Sequence, residues 1–295
     1  MFERHKQSSL VLLFVLPALA LYSVIQIFPL FQSLYYSFFS WKGFGEMTPV
    51  GLANYIKLFT DDYVMKIAFR NVFLFSGLSL LVLLPLSFFL ANSLHETVKF
   101  SKAFSTVIYL PGVVSTVIIS LMWGAILNFD TGFINVTLRA VGLKNLAKVW
   151  LGDPKITIYI VILVNTWQWA GYHMLLFLAS LQAIPEELYE VAELDGSTGI
   201  QRLFRITIPL MAGTIKMNII LIIIGSIKCF DNVFAMTYGG PADSTQMLAT
   251  WMYQNTFRRF SFGYGSAIAM VIFALCIVST FVLRCLHFEV EDIQY

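Results

Sequence analysis

Acidic side chains at helical spacing stand out in a chain that is otherwise poor in charge. Glu186, Glu190 and Glu193 share one face of a short predicted helix. Asp195 and Gly196 follow this helix and form a strong turn signal. Carboxylates on an exposed helix face favour a positively charged partner, so these residues either recognise a basic protein surface or form a solvated helix face.

The segment 182–210 reads as two short amphipathic helices joined by that turn. Pro185 suits the start of the first helix, and Thr198 or Ser197 can cap the second. The predicted apolar stripes are Leu188, Val191 and Ala192 on the first helix, and Ile200, Leu203, Phe204 and Thr207 on the second. Such a pair lies in a membrane interface or docks onto a partner protein. Because anionic lipid repels an acidic helix, docking is favoured.

The composition places the elements around this segment in a membrane. The chain has 295 residues, of which 58% are hydrophobic and only 12% charged, and its mean hydropathy is +0.76. A soluble domain carries about 25% charged residues, so the polar surface here is too small to cover a globule. The net charge of +2 comes without the basic stripe of a nucleic-acid binder. Three cysteines without a CxxC pair indicate buried free thiols rather than disulfides or a zinc site.

Six apolar runs are long enough to cross a bilayer as helices. They are Leu10 to Phe31, Val72 to Ala91, Thr106 to Leu127, Ile156 to Leu181, Met211 to Phe230, and Gly265 to Leu286. The first run has the basic start of a signal peptide and a small-residue site at Ala18 to Ala20. Its apolar stretch continues well beyond that site, so its length favours an uncleaved span.

The distribution of basic residues does not set the orientation. With the N-terminus inside, the inner set is Arg4, Lys6, Lys99, Lys102, Arg202, Arg205 and Arg284. The outer set is Lys42, Lys57, Lys66, Arg70, Arg139, Lys144, Lys148, Lys155, Arg258 and Arg259. The excess outside opposes the positive-inside rule, although the residues around the first span favour an inside N-terminus.

The acidic segment resembles the cytoplasmic "EAA" signature of permeases of bacterial ABC importers. That signature is Glu-Ala-Ala, then Asp-Gly-Ala, then a hydrophobic stretch that ends in Leu-Pro. The matching residues here are Glu190, Val191 and Ala192, then Asp195, Gly196 and Ser197, then Ile208 and Pro209. The three departures exchange one small or aliphatic side chain for another.

Further matches extend the resemblance over nearly the whole chain. The segment from Asp231 to Thr245 is similar to Thr-x-Gly-Gly-Pro-x-x-x-Thr, which precedes the last span in the first of two paired permeases of the carbohydrate-uptake branch. Phe262 to Ala267 and Gly51 to Tyr55 also resemble that branch. The resemblance implies import of a sugar or oligosaccharide.

The resemblance implies an all-α integral membrane protein of the bacterial cytoplasmic membrane. Residues 1–295 would form a single domain with six transmembrane helices, both termini in the cytoplasm, and a cytoplasmic pair of coupling helices at 182–210 between the fourth and fifth. In this family the pair sits in a cleft of the ATPase subunit. Glu190 would then pair with a basic residue of that cleft, Ala192 would allow close approach and Gly196 would make the turn. Asp195, Phe204 and Pro209 complete the expected coupling set.

The resemblance also implies partners. The expected assembly contains a second homologous permease, two ATPase subunits and an extracytoplasmic solute-binding protein. Because no G-x-x-x-x-G-K-[ST] phosphate loop occurs, ATP and Mg are expected on the ATPase, and this chain is expected to bind no cofactor and no metal and to be no enzyme.

Polar residues within the spans are the candidates for the substrate path. Asn165, Trp169 and Tyr172 fall at i, i+4 and i+7, Gln168 is adjacent, and Asn218 lies in the fifth span. An aromatic ring beside an amide suits the apolar faces and hydroxyls of a sugar. Hydrogen bonds between helices and an aromatic belt are the alternative.

Two other features have structural interpretations, and three rival functions are compared with the sugar permease. His173 is expected to be a packed polar residue, and Lys228 with Asp231 is expected to form a local ion pair. An ABC permease for glycerol phosphate or a polyol would differ only in its pocket. A secondary transporter would need a buried ion site, but the spans contain no Asp or Glu. A membrane enzyme would need a clustered catalytic set, which is missing.

Overall fold

The structure, a computed structural model, describes residues 15–96 and 100–285, except for the side chain of Glu96. These residues are mostly helical, so the all-α prediction is confirmed at this level. Several positions used in the sequence analysis lie outside the described residues. They are the basic residues before the first apolar run, Leu10, Lys99, Leu286 and both chain ends.

The elements divide between two compact units. Of the described residues, 15–62 and Met252–Phe273 form one unit, and 63–96, 100–251 and 274–285 form the other. In the first half of the chain the elements are α1 (Val15–Tyr36), β1 (Phe39–Ser40), β2 (Thr48–Pro49), α2 (Ala53–Thr60), α3 (Tyr63–Glu96), α4 (Ser101–Val113), α5 (Thr116–Ile126) and α6 (Phe133–Ala140). The later helices are α7 (Thr157–Gln182), α8 (Glu186–Leu194), α9 (Gly199–Leu210), α10 (Ala212–Ile227), α11 (Asp231–Thr237), α12 (Leu248–Tyr253) and α13 (Phe262–Cys285).

The smaller unit is stabilised by hydrogen bonds that side chains donate to distant parts of the chain. Strands β1 and β2 pair antiparallel, with Phe39 opposite Pro49. The Asn54 amide donates to the carbonyl oxygens of Ser37 at 2.8 Å and Phe39 at 2.9 Å, which fixes α2 against β1. Tyr264 of α13 donates to Asp62 at 2.5 Å. The residues 51–55 and 262–267 therefore have structural roles here.

The core of the larger unit lies where α3, α7 and α10 meet. Phe177 is fully buried and packs edge-on against Phe88, with ring centroids 5.5 Å apart. Gly171 lets α4 approach α7, because a Cβ at this position would collide with the backbone of Ile108 and Tyr109. This packing holds the polar face of α7 in a fixed place.

Among the described residues, three helices are long and apolar enough to cross a membrane, and up to five if each of two bent pairs counts as one span. The three are α1, α3 and α13, and the bent pairs are α4 with α5 and α9 with α10. Helix α7 has 26 residues and is about 39 Å long by its rise per residue, but it is not in this set. Its amide and histidine side chains lower its hydropathy.

The third predicted span, Thr106 to Leu127, is not one straight helix. Helices α4 and α5 meet at 93°, and Val114 between them is extended, with φ −74° and ψ 143°. Pro111 removes one helical hydrogen bond near this break, which weakens the end of α4. The fourth predicted span is matched within one residue at each end by α7.

Candidate functional site

The acidic loop, residues 182–210, has the predicted arrangement of two helices and a turn. Helix α8 carries Glu186 and Glu187 in its first turn, where carboxylates are stabilised by the positive end of the helix dipole. It ends at Leu194 with Asp195 as its C-cap, and Gly196 follows with a φ of +77°, a conformation that costs an ordinary residue about 1–2 kcal/mol. The Ser197 hydroxyl donates to the Ala192 carbonyl at 2.6 Å and closes the turn.

The second helix of the acidic loop starts with a capping box. The Thr198 hydroxyl accepts from the Gln201 backbone N–H at 3.3 Å, and the Gln201 side chain accepts from the Thr198 N–H at 2.8 Å. Both bonds satisfy amide groups that a helix N-terminus leaves free. Of the two predicted caps, Thr198 is therefore the one used.

The acidic loop exposes apolar side chains among its carboxylates. Four large residues are more than half exposed, namely Val191 (57%), Leu194 (88%), Ile200 (72%) and Phe204 (64%). Glu190 is exposed, and so are Asp195, Gly196 and Pro209, whereas Ala192 is half-buried. Of the three residues in the predicted stripe, Leu188 and Ala192 are half-buried, but Val191 points outward. Large apolar side chains exposed in this number on one short segment indicate an interaction surface.

A cavity of about 320 Å³ lies among the helices of the larger unit. Asn165, Trp169 and Tyr172 of α7 line it, as the spacing along one helix face predicts. The rings of Trp169 and Tyr172 pack edge-on at 5.9 Å. Asn232 of α11 also lines the cavity. The lining of the cavity therefore includes aromatic rings beside two amides.

Gln168 lies behind the cavity wall and is fully buried. Its amide nitrogen is 3.4 Å from the Val114 carbonyl oxygen and 3.2 Å from the Thr116 hydroxyl, so it donates to the break between α4 and α5. Its oxygen accepts from Asn232 at 3.4 Å, and Asn165 donates to Asn232 at 2.9 Å. Gln168 thus fixes Asn232 and, through it, Asn165, so it positions both amides of the cavity. The sequence did not single out Asn232.

Asn218 also lies off the cavity wall. It is fully buried, and its oxygen is 2.7 Å from Nδ1 of His173, which lines the cavity. Its amide nitrogen donates to the Thr214 carbonyl at 3.0 Å. The interpretation of His173 as a packed polar residue is confirmed. Across the part of the chain that the structure describes, no cluster of residues could hold a metal ion.

The predicted ion pair between Lys228 and Asp231 is wrong. Both residues are exposed and line the cavity, but no salt bridge joins them. Lys228 caps the C-terminus of α10 and Asp231 begins α11, so each charge is stabilised by a helix end instead.

The Thr-x-Gly-Gly-Pro segment forms a buried turn. The Thr245 hydroxyl donates to the Gly240 carbonyl at 2.7 Å, and Thr245 is fully buried. Asn71 of α3 donates to the carbonyls of Ser244 at 2.8 Å and Gln246 at 2.9 Å. The segment is therefore held in place by a residue of α3 that no sequence pattern marked.

Comparison with protein families gives one match that covers most of the chain. Residues 63–291 match the model of the binding-protein-dependent transport system inner membrane component. The matched region includes the whole acidic loop and every residue of the cavity.

Individual proteins are similar over nearly their full length. The probable ABC transporter permease protein YurN of Bacillus subtilis is 36% identical over 263 residues, which is 88% of this chain and 89% of YurN. The lactose transport system permease protein LacF of Rhizobium radiobacter is 34% identical, over 91% of each chain. A chain from the crystal structure of a bacterial alginate ABC transporter in complex with alginate pentasaccharide-bound periplasmic protein has a similar fold. Its TM-score is 0.85 at 23% identity, and the match covers 100% of this chain and 99% of the other.

Proposed function

This chain belongs to the family of binding-protein-dependent transport system inner membrane components and is an ABC transporter permease, and on that premise we propose that it imports a sugar or oligosaccharide. The observation that carries the proposal is the cavity, in which Trp169 and Tyr172 stand beside Asn165 and Asn232. Aromatic rings suit the apolar faces of a sugar, and amides suit its hydroxyls. The relative LacF is named for lactose transport, which agrees with this solute class.

The cavity would form part of the substrate path. Asn165, Trp169 and Tyr172 would contact the solute directly, since they line the wall. Gln168 and Asn218 would act from behind it, by fixing Asn232 and His173. This division follows from burial, because neither Gln168 nor Asn218 has exposed surface.

We further propose that the acidic loop docks into a separate ATPase subunit, where ATP and Mg would bind. Glu190 would meet a basic residue of that subunit, and Gly196 would hold the turn. The exposed apolar side chains, Phe204 among them, support a protein partner, because acidic carboxylates beside them would repel an anionic membrane surface. Two such ATPase subunits, a second homologous permease and an extracytoplasmic binding protein would complete the assembly.

This docking implies the topology. The six spans would be α1, α3, the α4–α5 pair, α7, the α9–α10 pair and α13, with the acidic loop and both termini in the cytoplasm. Helix α7 is long enough for a bilayer of about 30 Å, and its polar side chains face neighbouring helices, which supports its inclusion. A cysteine introduced at Ser197 should therefore resist a membrane-impermeant thiol reagent in right-side-out vesicles.

Uptake of labelled sugars by cells that express the whole transporter tests the solute class. The variant Trp169→Ala should lower uptake by at least tenfold, since the ring lines the cavity. Trp167→Ala is the matched control, because Trp167 packs on Trp123 at 5.5 Å and lies outside the cavity. Equal losses in both variants, with both proteins inserted, would count against a sugar path through this cavity.

A phosphorylated solute is the second candidate, and one observation favours it. Lys228 lines the cavity without a salt-bridge partner, so its ammonium group is placed to meet an anionic group, whereas the Asp231 carboxylate in the same lining opposes such binding. Competition by glycerol phosphate against sugar uptake discriminates between the two. Inhibition that Lys228→Gln abolishes would favour the phosphorylated solute, and the absence of inhibition would favour the neutral sugar.

A further inference from the structure

The basic loop, residues 128–155, joins the end of α5 to the start of α7. It contains α6 and a short turn of 3-10 helix at Lys144–Leu146. None of its residues contributes to the cavity or to the acidic loop. The function proposed above therefore leaves it without a role.

The amphipathic helix α6 exposes apolar side chains on its outer face, while Ile134 and Leu138 on its other side are half-buried. Phe133 (73% exposed), Val136 (47%), Thr137 and Ala140 form the outer face at helical spacing. Asn135 on the opposite face is fully buried. An apolar face on the outside and an amide on the inside fit a helix whose outer surroundings are apolar.

Asn135 holds this arrangement through both ends of its amide. Its nitrogen donates to the Lys148 carbonyl at 2.9 Å and the Phe129 carbonyl at 3.3 Å. Its oxygen accepts from Trp150 Nε1 at 2.9 Å and from the Lys148 N–H at 3.3 Å. The exposed face of α6 is thus fixed by the fold and is not a product of a loose loop.

Apolar exposure continues beyond α6 and is mixed with positive charge. Four more apolar residues are at least half exposed, namely Val141 (64%), Leu143 (50%), Leu146 (51%) and Val149 (51%). Lys144 and Lys148 are exposed among them, and neither takes part in a salt bridge. The basic residues of the loop are Arg139, Lys144, Lys148 and Lys155, and the acidic ones are Asp130 and Asp153. A basic, apolar surface has the composition of an interfacial segment.

We propose that the basic loop lies on the surface of the membrane, with the outer face of α6 in the boundary between lipid headgroups and acyl chains. Lys144 and Lys148 would meet the phosphates of anionic phospholipid. Charge complementarity selects this occupant, since juxtamembrane lysines are attracted to anionic leaflets. The assignment to the outer leaflet rests on the topology proposed above, whereas contact with lipid does not.

The proposal also accounts for the distribution of basic residues. The outer set exceeds the inner set, against the positive-inside rule, and four of its members lie in this loop. Contact of the basic loop with anionic lipid would explain why these four basic residues occur in an outer loop.

Fluorescence quenching tests the contact in the assembled transporter, in vesicles of phosphatidylethanolamine and phosphatidylglycerol. The native cysteines are replaced by serine, and a bimane label is placed on Val136→Cys or, as control, on Asp130→Cys, an exposed position of the same loop. Brominated phospholipid should quench the label at Val136 severalfold more than iodide does, and the order should reverse at Asp130. This measurement needs no transport, so it stays separate from the solute test.

Two results would overturn the proposal. Iodide quenching at Val136 equal to that at Asp130 would place α6 in water. Protection from both quenchers would mean that another protein covers α6, namely the second permease if the protection is constant, or the binding protein if it appears on adding that protein.

A charge-reversal variant, Lys144→Glu with Lys148→Glu, provides a test that does not alter the apolar face. In vesicles with phosphatidylglycerol it should raise iodide quenching of the Val136 label severalfold. In vesicles of phosphatidylcholine alone it should change nothing. An equal response in both membranes would remove anionic lipid from the proposal.

Discussion

The acidic loop and the basic loop are alike in apolar exposure and opposite in charge. Both are short amphipathic helices with a turn, and both expose large side chains, such as Phe204 in one and Phe133 in the other. The acidic loop carries Glu186, Glu187, Glu190, Glu193 and Asp195 against Arg202 and Arg205, while basic residues dominate the other loop. Apolar area favours removal from water in both cases. The sign of the charge therefore decides which partner each surface is suited to meet.

The two loops also differ in what holds them together. The acidic loop has a capping box at Thr198 and a turn at Gly196, both at its surface, and a 3.0 Å hydrogen bond between the hydroxyls of Tyr189 and Thr207 joins its two helices. The basic loop is built around Asn135, which is fully buried. Loss of the buried Asn135 amide would remove several hydrogen bonds at once, whereas loss of a surface cap would affect only the end of its own helix.

The largest expected effect is reversal of charge at Glu190. Glu190→Lys should weaken association with the ATPase about thirtyfold or more, since loss of a close interfacial charge pair costs about 2–5 kcal/mol. Co-purification of the ATPase and its stimulated hydrolysis measure this loss. Glu187→Lys, which changes an exposed carboxylate outside the Glu186, Glu190 and Glu193 face, is the control. Equal losses in both variants would show that general acidity, and not Glu190, is recognised.

Removal of the buried Asn135 amide is expected to have the second-largest effect. Asn135→Leu leaves the Trp150 N–H and the Lys148 backbone groups without their partner, at a cost of about 1–3 kcal/mol. Hydrogen exchange should speed up across residues 128–155 and stay unchanged across 182–210. Asn145→Leu, at an exposed position of the basic loop, should leave both regions unchanged. Faster exchange in both regions would contradict independent support of the loops.

A smaller effect is expected at the turn of the acidic loop. Gly196→Val places a β-branched residue at a φ of +77°, which costs about 1–2 kcal/mol. ATPase stimulation should fall, with the permease still inserted at its normal level. Gly199→Ala is a matched control, because Gly199 has no positive φ and a Cβ there would meet nothing within 4 Å. Full stimulation in the valine variant would mean that the turn is not part of the docking element.

The smallest effect is expected at the surface ion pair of the acidic loop. Arg202 Nη1 and Glu193 Oε2 are 3.0 Å apart, but the Glu193 side chain is 75% exposed. Exposed pairs contribute about 0–1 kcal/mol, so Arg202→Ala should leave the melting temperature within error of the parent. Arg205→Ala serves as control. A clear drop in melting temperature for Arg202→Ala alone would show that the acidic loop, like the basic loop, depends on a single side chain for its stability.

The acidic loop could be predicted almost completely from the sequence, because its signals are local. Helix capping, a glycine turn and the spacing of carboxylates each depend on residues a few positions apart. The bend between α4 and α5 was not predicted, although Pro111 lies near it. The partner that satisfies the broken backbone, Gln168, lies on another helix, so no local pattern reveals it.

The sequence by itself determined the helical class, the membrane setting, the family resemblance and the residues of α7 that share a face. These follow from composition and from periodicity along one chain segment. The tertiary structure decided which of those residues reach the cavity, which lie behind it, and that Asn71, Asn135 and Asn232 are hubs. The reason is that burial of an amide is a property of the segments packed around it, and those segments come from distant parts of the chain.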